Sequence, residues 1–184
     1  SLQNYRETLD SSSNNVSLLS PDDSKDPYYA FHGWAGIEGL EENDTPNAST
    51  IWTLKSGRVL TENSPITLSW KNNKGIIFEK TISIDENYMF EISQSVINGS
   101  SKNIKLYPYG NLTRNGQPDT IGFYILHEGV VGMHDGELIE TNYGDIPDLS
   151  REEVTREIQQ NGWIGFTDKY WMSTLIPRAG QTFK

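Results

Sequence analysis

Three histidines, His32, His127 and His134, are the side chains best suited to metal or acid–base chemistry, and His127-Glu128 and His134-Asp135 set a carboxylate beside two of them. A zinc site often shows as short-spaced ligand pairs on one element, such as histidines at i and i+4 of a helix. That spacing is absent here, so only the tertiary fold could unite these groups, and surface or loop histidines are the plainer reading. A serine nucleophile would want a Gly-x-Ser-x-Gly elbow, and none exists. The glycines at Gly129, Gly132 and Gly136 lack phosphate-loop spacing and suit turns instead. Carboxylates are too numerous for any glycosidase-like pair to be singled out. Spacing therefore assigns no catalytic, cofactor-binding or metal-ligating residue, and no cofactor and no enzyme activity are expected.

The aromatics form a more specific pattern. They cluster in Pro27 to Trp34, in Tyr107-Pro108-Tyr109 and in Trp163 to Trp171. Aromatic clusters on a β scaffold can stack sugar rings or hold extended apolar peptides, and packing in the core is the competing explanation. Asn-x-Ser/Thr sequons begin at Asn15, Asn43, Asn47, Asn98 and Asn111, but a chain rich in Asn, Ser and Thr produces them by chance.

The elements that must position these groups belong to an acidic chain of 184 residues, with 25 Asp plus Glu against 15 Lys plus Arg, a formal charge of -10 and no cysteine. Nucleic acids and anionic lipid surfaces are gripped by clustered Lys and Arg, so no nucleic-acid partner is expected. The absence of cysteine excludes thiolate chemistry and disulfide scaffolds. The longest apolar run, about Ile121 to Leu126, is far short of the ~18 residues that a spanning helix needs. The chain opens on Ser1 without the features of a signal peptide, which is the expectation for a piece of a longer protein.

From Asp10 to Pro27 the chain is turn-rich and reads as a surface connection. From Ile66 onward apolar residues recur at every second position, the period of a half-buried strand. Ile66, Leu68 and Trp70 give one strand; Ile76, Phe78, Ile82 and Ile84, broken by Lys80, give the next. After a hairpin at Asp85-Glu86-Asn87, a third strand carries Tyr88, Phe90, Ile92 and Val96, interrupted by Gln94. A fourth, Ile104 to Tyr109, has Pro108 near its end, which suits an edge or a bulge. Four such strands in succession predict an antiparallel meander. Further strands are expected at Ile121–Leu126, Gly129–Met133 and Glu137–Glu140. One helix is expected to start at Ser150, where Ser150 and Glu153 have capping-box spacing and Leu149 and Val154 could form a hydrophobic staple, and to end near Asn161-Gly162. The fold class is therefore mainly β, an antiparallel β-sandwich with one short helix, in a single domain over 1–184.

Five stretches taken in order, Pro27–Trp34, Thr81–Phe90, Leu106–Gly110, Gly122–Gly129 and Gly162–Trp171, resemble the large periplasmic domain of the YidC membrane-protein insertases of Gram-negative bacteria. The similarity spans nearly the whole chain. The resemblance implies a mutarotase-like β-supersandwich inserted between the first two transmembrane helices of a multi-pass inner-membrane protein, with this domain in the periplasm. It implies a non-catalytic role beside a transmembrane bundle that helps insert and fold other membrane proteins, alone or with the Sec translocon. The partners implied are Sec translocon components and nascent membrane proteins, and contact with the membrane would run through helices absent from this chain. The bundle's insertion groove is not represented here, so no insertion residue carries over. The resemblance also implies further strands beyond Lys184, so the sandwich is expected to be incomplete at its C-terminus and a longer chain to be more stable.

Two other readings stand beside this one. A carbohydrate-binding or aldose-epimerase-like domain would need a histidine and a carboxylate converging on a sugar ring, and fold similarity alone does not supply them. A plain spacer would bury its aromatics as core. On a periplasmic domain the acidity is compatible with translocation, because long domains cross largely regardless of their charge.

Overall fold

A computed structural model describes residues 2, 4–116, 118, 126–168 and 170–184. The expected strand at Ile121–Leu126 lies, but for Leu126, outside the described residues. Backbone packing divides the chain into two compact units, one of residues Ser1–Phe31 with Gly110–Lys184 and one of residues His32–Tyr109. The fold is mainly β, with antiparallel sheets consistent with a β-sandwich. Two strands, β1 (Tyr28–Glu38) and β6 (Lys105–Arg114), pair with each other, and the chain passes from one unit to the other within each of them.

The unit His32–Tyr109 holds a four-stranded meander of β2 (Thr53–Ser56), β3 (Ile66–Lys71), β4 (Ile76–Ile84) and β5 (Phe90–Asn98), in spatial order β2-β3-β4-β5. The period-2 pattern sets its register. Trp70 pairs with Phe78 and Phe78 with Val96, so the apolar residues share one face. Phe78 is fully buried and Ile76 nearly so, and with Trp34 they form the core cluster, packed by Trp52, Trp70 and Leu106. Removing one such side chain from water contributes about 1.5–3 kcal/mol. The opposite face is polar: Thr67 and Thr81 hydroxyls bond at 3.0 Å, and Lys55 reaches Glu79 at 2.6 Å.

The expected fourth strand of the meander does not follow β5. It forms β6, which pairs with β1 instead. Pro108 lies within β6 rather than near its end, and the two-stranded pair tolerates a residue without an N–H because, among the described residues, each of its strands has one neighbour. The β4–β5 hairpin turns where expected, but Tyr88, expected on the third strand, lies in the turn rather than in β5. The Asp85 carboxylate accepts from the N–H groups of Asn87 and Met89 at 2.8 and 2.9 Å, and Tyr88 sits at φ 63°. A tyrosine in the left-handed region is costly, and the carboxylate cap helps hold it there.

The other unit holds a second four-stranded sheet, in the order β10 (Met172–Leu175), β9 (Gly162–Thr167), β7 (Gly129–His134) and β8 (Glu137–Asn142). The strands expected at 129–133 and 137–140 are present and run slightly further; β9 and β10 give no alternating signal in sequence. Residues 10–27 are mostly exposed turns, as anticipated.

The helix at Ser150 is shorter than expected. Its capping box forms: Ser150 Oγ accepts from the Glu153 N–H at 3.3 Å, and Glu153 Oε2 accepts from the Ser150 N–H at 2.8 Å. The helix, α1, nonetheless spans only Arg151–Val154, and Thr155 is already extended. Continuing it toward Asn161 would need the amides of 158–161 to donate back along the chain, and they are engaged elsewhere. The Asp135 carboxylate accepts from Gln159, Gln160 and Asn161 at 2.8, 2.8 and 3.1 Å. Ile158 exchanges backbone bonds with Phe183 at 2.8 and 3.1 Å. Ile158 is therefore buried, while Val154, the other residue of the expected apolar face and staple, is 55% exposed.

Candidate functional site

The histidines are held by the main chain or by packing. His127 Nε2 lies 2.9 Å from the Val130 carbonyl oxygen. His134, at the end of β7, has its Nδ1 buried without a hydrogen-bond partner among the described residues. His32 is half-buried in the other unit, and burial, then the nearby Lys80 charge, lowers its pKa. Among the described residues no group of three or more His, Cys, Asp or Glu side chains is arranged to hold a metal ion. Asp135, beside His134, is spent on the three amides of 159–161, and those hydrogen bonds hold its carboxyl below the usual range.

One polar constellation lies in the unit of 1–31 and 110–184. Arg114 Nη1 pairs with Asp168 Oδ2 at 2.6 Å, and the Tyr143 hydroxyl donates to Asp168 Oδ1 at 3.1 Å. The Arg114 guanidinium sits 4.6 Å from the Tyr28 ring centre and 5.5 Å from that of Tyr143. Phe166 meets Tyr28 edge-on and stacks on Tyr143. Burial raises the pKa of both phenols, helped at Tyr143 by the Asp168 carboxylate. Both tyrosines thus stay protonated at neutral pH, and neither serves as a base. The charge of Arg114 is matched by one carboxylate and two ring faces, an arrangement that fixes side chains rather than activating them. Spacing could not find it, because its members are drawn from β1, β6, the stretch after β8 and the end of β9.

A second constellation explains the two breaks in the alternating pattern of the meander. Lys80 and Gln94 are direct cross-strand neighbours on the inner face. Lys80 Nζ donates to the His32 carbonyl, and Gln94 Nε2 donates to the Gly33 carbonyl at 2.8 Å. The ammonium also lies 4.7 Å from the Trp52 ring centre and 5.6 Å from that of Trp34. Desolvation lowers the Lys80 pKa. Both polar residues tie the sheet to the backbone of β1.

The aromatic clusters divide between the two roles considered from sequence. Tyr28 and Trp34 are core, whereas Tyr107 and Tyr109 on β6 and Tyr170 after β9 are exposed at 52%, 43% and 74%. Met89 and Phe90 at the β4–β5 hairpin are also exposed. No helix among the described residues is long and apolar enough to cross a membrane.

The profile of the YidC periplasmic domain family matches residues 1–184. The chain is 50% identical over 190 residues to a membrane protein insertase YidC of Dinoroseobacter shibae, covering 100% of this chain and 31% of that protein. It is 50% identical over 191 residues to the insertase of Ruegeria sp. (strain TM1040), with 100% and 31% covered. It is 47% identical over 190 residues to that of Cereibacter sphaeroides (strain ATCC 17029 / ATH 2.4.9), with 100% and 30% covered. The chain thus spans about a third of the length of these relatives. A full-length family match, joined to a mainly β fold of antiparallel sheets, identifies the chain as a member of the YidC periplasmic domain family.

Proposed function

We propose that residues 1–184 act as one non-catalytic periplasmic domain of an inner-membrane insertase, which helps insert and fold other membrane proteins, alone or beside the Sec translocon. The match of the family profile to the whole chain carries this reading. The domain would serve as a docking or chaperone surface for Sec components or for emerging segments of nascent membrane proteins. Exposed aromatic side chains in each unit, Tyr107 and Tyr109 in one and Tyr170 in the other, support a role in meeting other polypeptides. Arg114, Asp168, Asp135, Lys80 and Gln94 are committed to internal bonds, which agrees with a binding role rather than a chemical one.

The test is deletion of this domain from the full-length insertase, followed by co-purification of Sec components and by measurement of substrate insertion. Loss of Sec association with the transmembrane part intact is the expected result; unchanged association overturns the docking role. The sugar-epimerising alternative is not favoured, since the family profile that matches the whole chain is that of the YidC periplasmic domain.

A further inference from the structure

An asparagine followed by glycine is open to attack on its side-chain amide by the next main-chain nitrogen, because a residue without Cβ lets that nitrogen come close. The chain holds three such pairs, Asn98-Gly99, Asn115-Gly116 and Asn161-Gly162. Asn98 is the last residue of β5, opposite Ile76 of β4. Its Oδ1 accepts from the Ser100 N–H at 3.0 Å and from the Ser100 hydroxyl at 2.7 Å, and its Nδ2 donates to the Lys102 carbonyl at 2.8 Å. Both Asn98 and Gly99 are exposed to water. Asn161 is held differently. Its N–H donates to Asp135 Oδ1 at 3.1 Å, its carbonyl accepts from the Asp135 N–H at 2.8 Å, and Gly162 already belongs to β9. Asn115-Gly116 adjoins residue 117, which lies outside the described residues.

We propose that Asn98 is a site of spontaneous covalent modification, at which the two Ser100 donors promote closure of a succinimide ring. The Gly99 nitrogen bonds to Asn98 Cγ and loses its proton to solvent, while Nδ2 takes up a proton and leaves as ammonia. Water then opens the ring at either carbonyl, giving aspartate or isoaspartate. The negative charge that gathers on Oδ1 during the attack meets an N–H and an O–H already in place, the arrangement that stabilises a tetrahedral intermediate in acyl transfer. Asn47 is an internal comparison. Its Oδ1 meets the same two donors from Ser49, at 3.0 and 2.7 Å, but the next residue is Ala48, whose Cβ hinders the attack. Packing demands the glycine at 99, since a Cβ there would lie 2.5 Å from the Gly75 carbonyl oxygen. The labile pair therefore comes with the hairpin. Either product takes the Nδ2 donor away from the Lys102 carbonyl, and isoaspartate also routes the main chain through an extra carbon opposite the buried Ile76. Modification thus loosens this end of the β4–β5 pair.

Peptide mapping by mass spectrometry tests this, on the 184-residue chain incubated at mildly alkaline pH and then digested in acid, where conversion stops. The folded wild type is expected to convert Asn98 several-fold faster than Asn161 and Asn47. In denaturant Asn98 and Asn161 are both plain Asn-Gly pairs and are expected to convert at similar rates, so the difference belongs to the fold. Ser100→Ala is expected to slow Asn98 several-fold, and Ser100→Thr, which keeps a hydroxyl, to retain the rate. Circular dichroism establishes that both variants fold; the comparison within the wild type needs no variant. A folded chain in which Asn98 is as slow as Asn161 or Asn47 as fast as Asn98 overturns the proposal, as does a difference between Asn98 and Asn161 that persists in denaturant. So does a folded Ser100→Ala chain that converts Asn98 at the wild-type rate or faster, which would make the Ser100 bonds a lock on the side chain instead of a promoter.

Discussion

Single residues show where spacing arguments stop. Asp135 was singled out as a carboxylate beside a histidine, and its actual work is to accept three consecutive amides and end the approach to β9. The reason is geometric: residue 135 lies in a left-handed turn at φ 49°, which aims its carboxylate at a segment 24 to 26 positions away. No local pattern encodes that. Those bonds hold its carboxyl below the usual carboxylate range, so the folded chain releases this proton more readily than the unfolded one. The stabilisation is complete above the unfolded pKa and is lost as pH falls through the lower folded value. Asp135→Asn should therefore lower Tm at neutral pH, and the gap between variant and wild type should close as the solution is acidified below pH 3.8. Thermal melts across that range check it; a gap that does not change with pH contradicts the assignment.

Elements were legible where one face is wet and one is dry. Strands β3, β4 and β5 and the hairpin between β4 and β5 follow directly from alternation, and even the two exceptions, Lys80 and Gln94, were visible as exceptions. Their purpose was not visible, because the carbonyls they reach belong to β1, 48 and 61 residues earlier in the chain. Strands β1, β9 and β10 escaped notice because their burial does not alternate cleanly, so the period-2 signal fades. The helix was over-read because a good N-terminal signal says nothing about which amides are claimed further on. Glycine is informative at this scale too. A Cβ at Gly165 would lie 2.1 Å from the Ser173 carbonyl oxygen, whereas one at Gly144 would meet nothing within 4 Å. Gly165→Ala should push β10 off β9 and lower stability by about 1–3 kcal/mol, the usual cost of overpacking. Gly144→Ala should stay within about 0.5 kcal/mol of wild type, like most surface changes. Denaturant titration of the two variants distinguishes them, and equal midpoints would show that the β9–β10 contact tolerates the methyl group.

At the scale of the molecule, composition excluded more than it identified. A charge of -10 removed nucleic acid from the expected partners, and the order of five motifs, not any one residue, pointed to the family. The division into two compact units was not legible, because the crossings fall inside strands and leave no linker composition to read.

The tie from Lys80 and Gln94 to β1 also has a consequence in time. Strand β1 leaves the synthesis machinery before β4 and β5, yet its carbonyls at 32 and 33 gain these partners only after those strands have followed. Early emergence therefore does not let β1 settle early. A one-residue slip of β4 against β5 would turn one of the two polar residues away from those carbonyls, so the earlier strand checks the alignment of strands made later, and the unit can complete its core only once both have passed inspection.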